Sequence, residues 1–210
     1  MKKGADDVLR KLKSAEEFSD EIVPESEGEL GEIQKKIIEE YREDFSISFD
    51  KIEILGDLLT EQEESKIRKQ RTKWDLSDGE FGQFLELFLK LAYAEGKLYV
   101  NQAEDRIEES EEKIRDVEKS ISRGDPKAME VNMKEAKKSI VTAKKKIQDS
   151  AKEFKAIIFV IEEFDSYSFS EKKEEKAEKE LKGVKQLNDN LVEIYDEWEE
   201  ITEKVEEATG

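Results

Sequence analysis

The stretch PKAMEVNMKEAKKSIVTAKKKIQDSAKEFKAIIFVIEE, residues 126–163, decides the fold. Its residues Met133, Ala136, Ile140, Ala143, Ile147, Ser150 and Phe154 step alternately by three and four, with Ile161 following after a longer step. Such spacing draws one apolar seam along a helix and leaves the Lys, Glu and Gln between its members facing out. The segment just before it, Ser122-Arg123-Gly124-Asp125-Pro126, reads as a turn. Glycine suits the left-handed position after a helix, Asp125 caps the next one, and Pro126 fits its first turn.

Upstream of that turn, Ser77 and Glu80 form a capping box that opens the longest helix. Phe81, Phe84, Leu85, Phe88, Leu91 and Ala92 make its first half apolar. Its second half thins to a heptad seam of Ala103, Ile107, Ser110, Ile114, Val117 and Ile121. Downstream, Asp165 to Ser170 forms a connection carrying Tyr167 and Phe169. A last helix then places Ala177, Leu181, Val184, Asn188, Leu191, Trp198, Ile201 and Val205 on its stripe. At about 1.5 Å per residue each of these three helices would be roughly 55 to 65 Å long, and the short connections make neighbours antiparallel.

The N-terminal third reads as shorter helices. One spans about Asp6 to Ile22 and stops at Pro24. A second opens on the Ser26 and Glu29 capping box and carries Leu30, Ile33, Ile37, Ile38 and Tyr41. The segment 45–50 is a connector inserting Phe45 and Phe49, and a third helix runs from about Asp50 to Arg68, burying Ile52, Leu55, Leu58 and Leu59. The expected fold is therefore all-α: an elongated antiparallel helical bundle forming a single helical domain over residues 1–210, with shorter N-terminal helices (1–76) packed on three long ones (77–210).

Composition narrows the function. The chain has no His and no Cys, so no imidazole base, thiol nucleophile or disulfide is available. Its 37 basic and 55 acidic residues give a formal net charge of −18, the wrong sign for a nucleic-acid partner. The charge is segregated. Residues 16–64 hold 18 acids against four bases, residues 127–155 hold nine lysines against four acids, and residues 193–207 hold eight acids against Lys204. No membrane span is expected, because the apolar window Phe81 to Val100 carries Glu86, Lys90, Glu95 and Lys97. No signal peptide is expected within the sequence, because the acidic Ala5-Asp6-Asp7 follows the first lysines where an apolar stretch is required; if the natural protein is exported or lipid-anchored, its leader and anchoring Cys lie outside this sequence.

Three patterns that could carry chemistry have plainer readings. Arg123-Gly124-Asp125 matches an integrin-binding tripeptide, yet helix punctuation accounts for all three positions. The acidic run Glu108, Glu109, Glu111 and Glu112 is interleaved with Arg106, Lys113 and Arg115, which is the pattern of a solvated face laced with ion pairs and not of a metal site. No carboxylate pair is singled out, and no phosphate loop or nucleophile elbow is present. Neither an enzyme nor a cofactor is expected. The candidate functional surface is a partner-binding one: Lys134, Lys137, Lys138, Lys144, Lys145, Lys146 and Lys152, weighed against a solvated face paired to acidic neighbours, with Phe159 and Tyr167 as apolar anchors beside the run Ile157 to Ile161.

Glu25-Ser26-Glu27-Gly28-Glu29-Leu30 with Ile37-Ile38-Glu39-Glu40, then Phe49-Asp50-Lys51-Ile52-Glu53-Ile54-Leu55-Gly56, and the closing Lys204-Val205-Glu206-Glu207-Ala208-Thr209-Gly210 together resemble the helical ectodomains of Borrelia surface lipoproteins, in particular the OspEF-leader-peptide (Elp) group within the Erp proteins. The likeness is one of texture over most of the chain. It implies a lipid-anchored protein of the bacterial outer surface that binds the initiating serine proteases of the classical complement pathway without turning them over. The complement-regulator-acquiring lipoproteins of the same organisms share the texture and imply instead factor H recruitment or attachment to laminin. An intracellular assembly bundle is the reading left if the resemblance is set aside. A monomer is expected, because Asn188 would interrupt the last seam and the N-terminal helices are available to cover the rest.

Overall fold

A computed structural model describes residues 26–32, 35, 49–169 and 171–209. Among these the chain is all-α with no strand. Its elements are α1 (Phe49–Thr60), α2 (Glu64–Lys73), α3 (Asp78–Arg123), α4 (Pro126–Glu163), a 3₁₀ turn (Asp165–Tyr167) and α5 (Glu171–Thr209). A short helical stretch over 27–32 precedes them. The helix expected over Asp6 to Ile22, most of the second helix and Phe45 lie outside the described residues.

Helix ends follow local chemistry. The Ser77 backbone N–H and hydroxyl both donate to the Glu80 carboxylate, and the Glu80 N–H donates back to Ser77 Oγ at 3.2 Å, a complete capping box. Ser26 Oγ accepts from the Glu29 N–H in the same way at 3.2 Å. Asp125 caps α4 by accepting the Ala128 N–H at 3.1 Å, and Gly124 takes the left-handed conformation at φ 63°.

The third helix does not run from Asp50 to Arg68. It ends at Thr60, and a separate helix, α2, begins at Glu64. Gln62 turns left-handed (φ 57°), its N–H donates to the Leu59 carbonyl, and the Glu63 N–H donates to the Leu58 carbonyl. That pair of bonds is a Schellman stop, here built without glycine. Asp75 (φ 53°) ends α2 by the same two bonds, to Thr72 and, from Leu76, to Arg71. Of the residues assigned to the third helix, Leu55 and Leu59 are fully buried, while Ile52 and Leu58 are half-buried.

Contacts gather into two compact units, divided across all three long helices. The first holds the described residues up to Leu98 together with Ser150–Leu181. Phe81, Phe84, Leu85, Leu87, Leu89, Leu98, Phe154 and Ile157 are its largest fully buried side chains in the long helices. Within it Glu86 pairs with Lys173, and Tyr93 meets Glu180. Both partners advance by one heptad, so α3 and α5 run parallel. Lys97 also reaches Glu180, at 3.0 Å. Lys173 is buried, and breaking its pair with Glu86 would strand a charge, so these contacts set register more than they add net stability.

The second unit holds Tyr99–Asp149 and Lys182–Gly210. It is a three-helix bundle zipped by heptad seams. On α3, Ala103, Ile107, Ser110, Ile114 and Val117 are buried, and on α4, Met129, Ala136, Ile140, Ala143 and Ile147. Glu109 bonds Ser139 and Lys113 bonds Glu135, four residues forward on one helix and four back on the other, so α3 and α4 are antiparallel. On α5 the seam is Val184, Leu187, Leu191, Ile194, Trp198 and Ile201. Asn188 is exposed and does not interrupt it, because the alternating steps pass through Leu187 instead. Asn188 therefore gives no ground for a monomer.

Candidate partner-binding surface

The nine candidate residues divide between the units. In the second unit the lysines of α4 point three ways. Lys134, Lys138 and Lys145 share an outward stripe with Val131, Val141 and Gln148, stepping by three and four and exposed throughout. It lies opposite the buried seam, and it carries two valines that nothing covers, Val131 at 48% and Val141 at 61% exposure. Lys137 leans toward α5, its ammonium 5.1 Å from the centre of the Trp198 ring. Lys146 leans toward α3 and lies 4.8 Å over Tyr99, where it is half-buried. Lys144 is exposed beside Lys145.

Pairing with acidic neighbours accounts for little of this face. Among the described residues, Lys134, Lys138, Lys144 and Lys145 make no ion pair, although α5 offers eight acids between Glu193 and Glu207. For Lys134, Lys138 and Lys145 the reason is geometric, since a lysine on the stripe opposite the seam projects away from both neighbouring helices.

The edge where Lys137 meets α5 holds a feature that periodicity alone concealed. Trp198, read as a seam residue, is only half-buried, and its Nε1 donates to the Met133 carbonyl at 3.4 Å. Tyr195 is 43% exposed, its ring 5.8 Å from that of Trp198. The Glu199 carboxylate that takes the Tyr195 hydroxyl proton's hydrogen bond holds this phenol above its ordinary pKa. A cation, an indole and a phenol thus sit together at a surface, the residue types that dominate binding hot spots. The sequence signal was available: Tyr195 and Val192 fall off the seam and are apolar where a solvated face would be polar.

Lys152, Phe159 and Tyr167 belong to the first unit. Lys152 pairs with Glu61. Phe159 is half-buried and packs edge-on to Phe164, with ring centres 6.2 Å apart. Tyr167 sits on the 3₁₀ turn between Phe81 (5.7 Å, edge-on) and Phe169 (6.4 Å, stacked), against the bare backbone of Gly82. Burial pushes its phenol above the ordinary value. Arg71 lies 5.1 Å over Phe81 and Arg68 5.2 Å over Phe164, so cations cap this aromatic cluster. Within the run Ile157 to Ile161, Ile157, Val160 and Ile161 are buried, while Ile158 and Phe159 are half-buried.

The other motifs are taken up structurally. Asp125 of the Arg-Gly-Asp tripeptide spends its carboxylate on the α4 cap. Glu109 is held below the usual carboxylate range by a hydrogen bond from Arg106, and Glu111 faces Arg115 at 3.6 Å. Among the described residues no three acidic side chains converge as metal ligands, and no helix is long and apolar enough to cross a membrane. No protein-family model, curated protein or solved structure matches this chain.

Proposed function

We propose that this chain is a non-catalytic binding protein whose working surface is the lysine face of α4 with the Lys137, Trp198 and Tyr195 edge beside it. The observation that carries the reading is the set of lysines 134, 138, 144 and 145, exposed and without ion pairs among the described residues, in a chain of net charge −18. Cations left open beside a surplus of acid are suited to steer and hold an acidic partner, and the neighbouring aromatics can supply the desolvated contact that steering alone lacks.

The resemblance to the Elp group names the partner: the initiating serine proteases of the classical complement pathway, held at the surface of a spirochaete by a lipid-anchored protein and so kept from activating complement. Binding, without bond chemistry, is all this requires of a chain lacking His and Cys.

Immobilised protein exposed to human serum at about 0.1 M and about 0.5 M salt tests this, because surface charge attraction is screened over that range. Enrichment of a classical-pathway protease, weakened at the higher salt and lost in a Lys134→Glu, Lys138→Glu, Lys144→Glu, Lys145→Glu variant, is expected. Serum from which no complement component is retained would refute the partner, and capture untouched by the four reversals would refute the face.

A further inference from the structure

The stripe Val131, Lys134, Lys138, Val141, Lys145 on α4 has a counterpart in the same three-helix unit. A groove of about 730 Å³ lies between α3 and α5 and is lined by residues of those two helices alone. Its floor is made by isoleucines of the two seams and its walls carry five glutamates, against Arg115 and Lys204. Arg115 faces Glu111, which leaves Glu118, Glu193, Glu197 and Glu200 without ion pairs among the described residues. The stripe therefore offers three cations and two open valines, and the groove a surplus of three negative charges.

The lengths agree as well. On α5 the groove runs from Asn190 to Lys204, and on α4 the valines and lysines of the stripe, leaving out Gln148 at its end, run from Val131 to Lys145. Each covers the same number of residues, about 21 Å of helix at 1.5 Å per residue. A helix laid in the cleft between two others, with its charged residues meeting the walls, is a standard recognition mode.

We propose that the α4 stripe of one copy docks into the α3/α5 groove of a second copy. Donor and acceptor surfaces are different patches made by different helices, so the contact is heterologous: each copy that gives its stripe still has an open groove, and association propagates beyond a dimer. This inference concerns the pure chain and goes beyond the serum partner; the two contacts share Lys134, Lys138 and Lys145 and so exclude one another, and sedimentation of the pure chain involves no serum protein.

The net charge of −18 opposes any self-association, and this gives the contact a distinctive salt response. At about 10 mM salt the screening length is about 30 Å and whole-molecule repulsion dominates. At about 0.1 M it is about 10 Å, so distant charges are silenced while touching pairs persist. At about 1 M it is about 3 Å and the touching pairs weaken too. Association should peak near 0.1 M.

Sedimentation velocity on the full chain tests this with two variants, Lys138→Glu/Lys145→Glu for the stripe and Glu193→Lys/Glu197→Lys for the groove. All four positions are exposed, and circular dichroism checks that each variant keeps its helix content. The expected result is concentration-dependent growth of the wild type beyond dimer near 0.1 M salt, with each variant monomeric alone. Mixed in equal amounts, the native stripe meets the native groove and the reversed stripe meets the reversed groove, so both contacts regain complementary charge and growth beyond dimer should return. A wild type that stays monomeric at every salt concentration, a variant that still assembles alone, or a mixture in which growth does not return would each overturn the proposal.

Discussion

Ser150 Oγ donates to the Gly96 carbonyl at 2.9 Å, joining α4 to α3 within the first unit across 54 residues of sequence. The contact is possible because residue 96 has no side chain. A Cβ there would lie 2.8 Å from Cζ of Phe154, a ring that is fully buried and set edge-on to Tyr93 at 5.9 Å. Gly96→Ala gains about 1 kcal/mol of helix propensity, but overpacking of a ring that cannot retreat costs about 1–3 kcal/mol. A net loss of stability is expected in urea melts followed by circular dichroism, and Ser150→Ala should lose about 1 kcal/mol by a different route, the hydrogen bond.

Gly124 and Gly183 should respond to alanine with opposite signs. The first has φ 63° and ends α3, whereas the second lies inside α5 with nothing within 4 Å of a Cβ. Gly124→Ala forces a left-handed alanine and is expected to cost about 1–2 kcal/mol, while Gly183→Ala should gain up to about 1 kcal/mol. By the same reasoning Gln62→Gly and Asp75→Gly relieve left-handed strain at the ends of α1 and α2, and each should raise the urea midpoint.

The α5 seam makes a plain comparison. Leu191 is buried and Asn188 exposed. Leu191→Ala is expected to cost about 2–5 kcal/mol, whereas Asn188→Ala should be neutral or stabilising by a few tenths of a kcal/mol, since alanine is the better helix former. Equal losses at the two positions would contradict the seam as drawn.

Tyr167 predicts a response to alkali. Burial against Phe81 and Gly82 disfavours its phenolate, so its pKa in the folded chain stands above the unfolded value near 10. A raised folded pKa means that this contribution to stability is complete below the unfolded pKa and is lost as pH climbs toward the folded one. Tyr167→Phe has no proton to lose, so the gap between its melting temperature and that of the wild type should shift in the variant's favour between about pH 9.5 and pH 11. A gap that stays constant over that range would rule out a perturbed Tyr167.

What a reader of the chain could see was whatever depends on residues close in sequence. The capping boxes at Ser26 and Ser77 and the Asp125 cap are bonds over three residues, and the turn at Gly124 carries the residue that a left-handed stop favours. The stops at Gln62 and Asp75 use the same backbone bonds with residues that carry no such signal, which is why the sequence pattern carries the third helix past Thr60. On the candidate surface, exposure of Lys134, Lys138, Lys144 and Lys145 follows from their offset against the Ala136, Ile140, Ala143 seam. The ring under Lys146 and the acid beside Lys152 do not, because Tyr99 and Glu61 stand 47 and 91 residues away.

The sequence by itself determined that this protein is helical, where most of its helices begin, and which stripe of α3 and of α4 turns inward, because caps and heptads act through neighbours one to four positions apart. Only the tertiary structure decided that Leu187 carries the seam in place of Asn188, that Trp198 and Tyr195 reach the surface beside Lys137, and that an acidic groove opens between α3 and α5. Those outcomes depend on how one helix is rotated and staggered against another, and that is set by side chains dozens of residues apart meeting in a shared core.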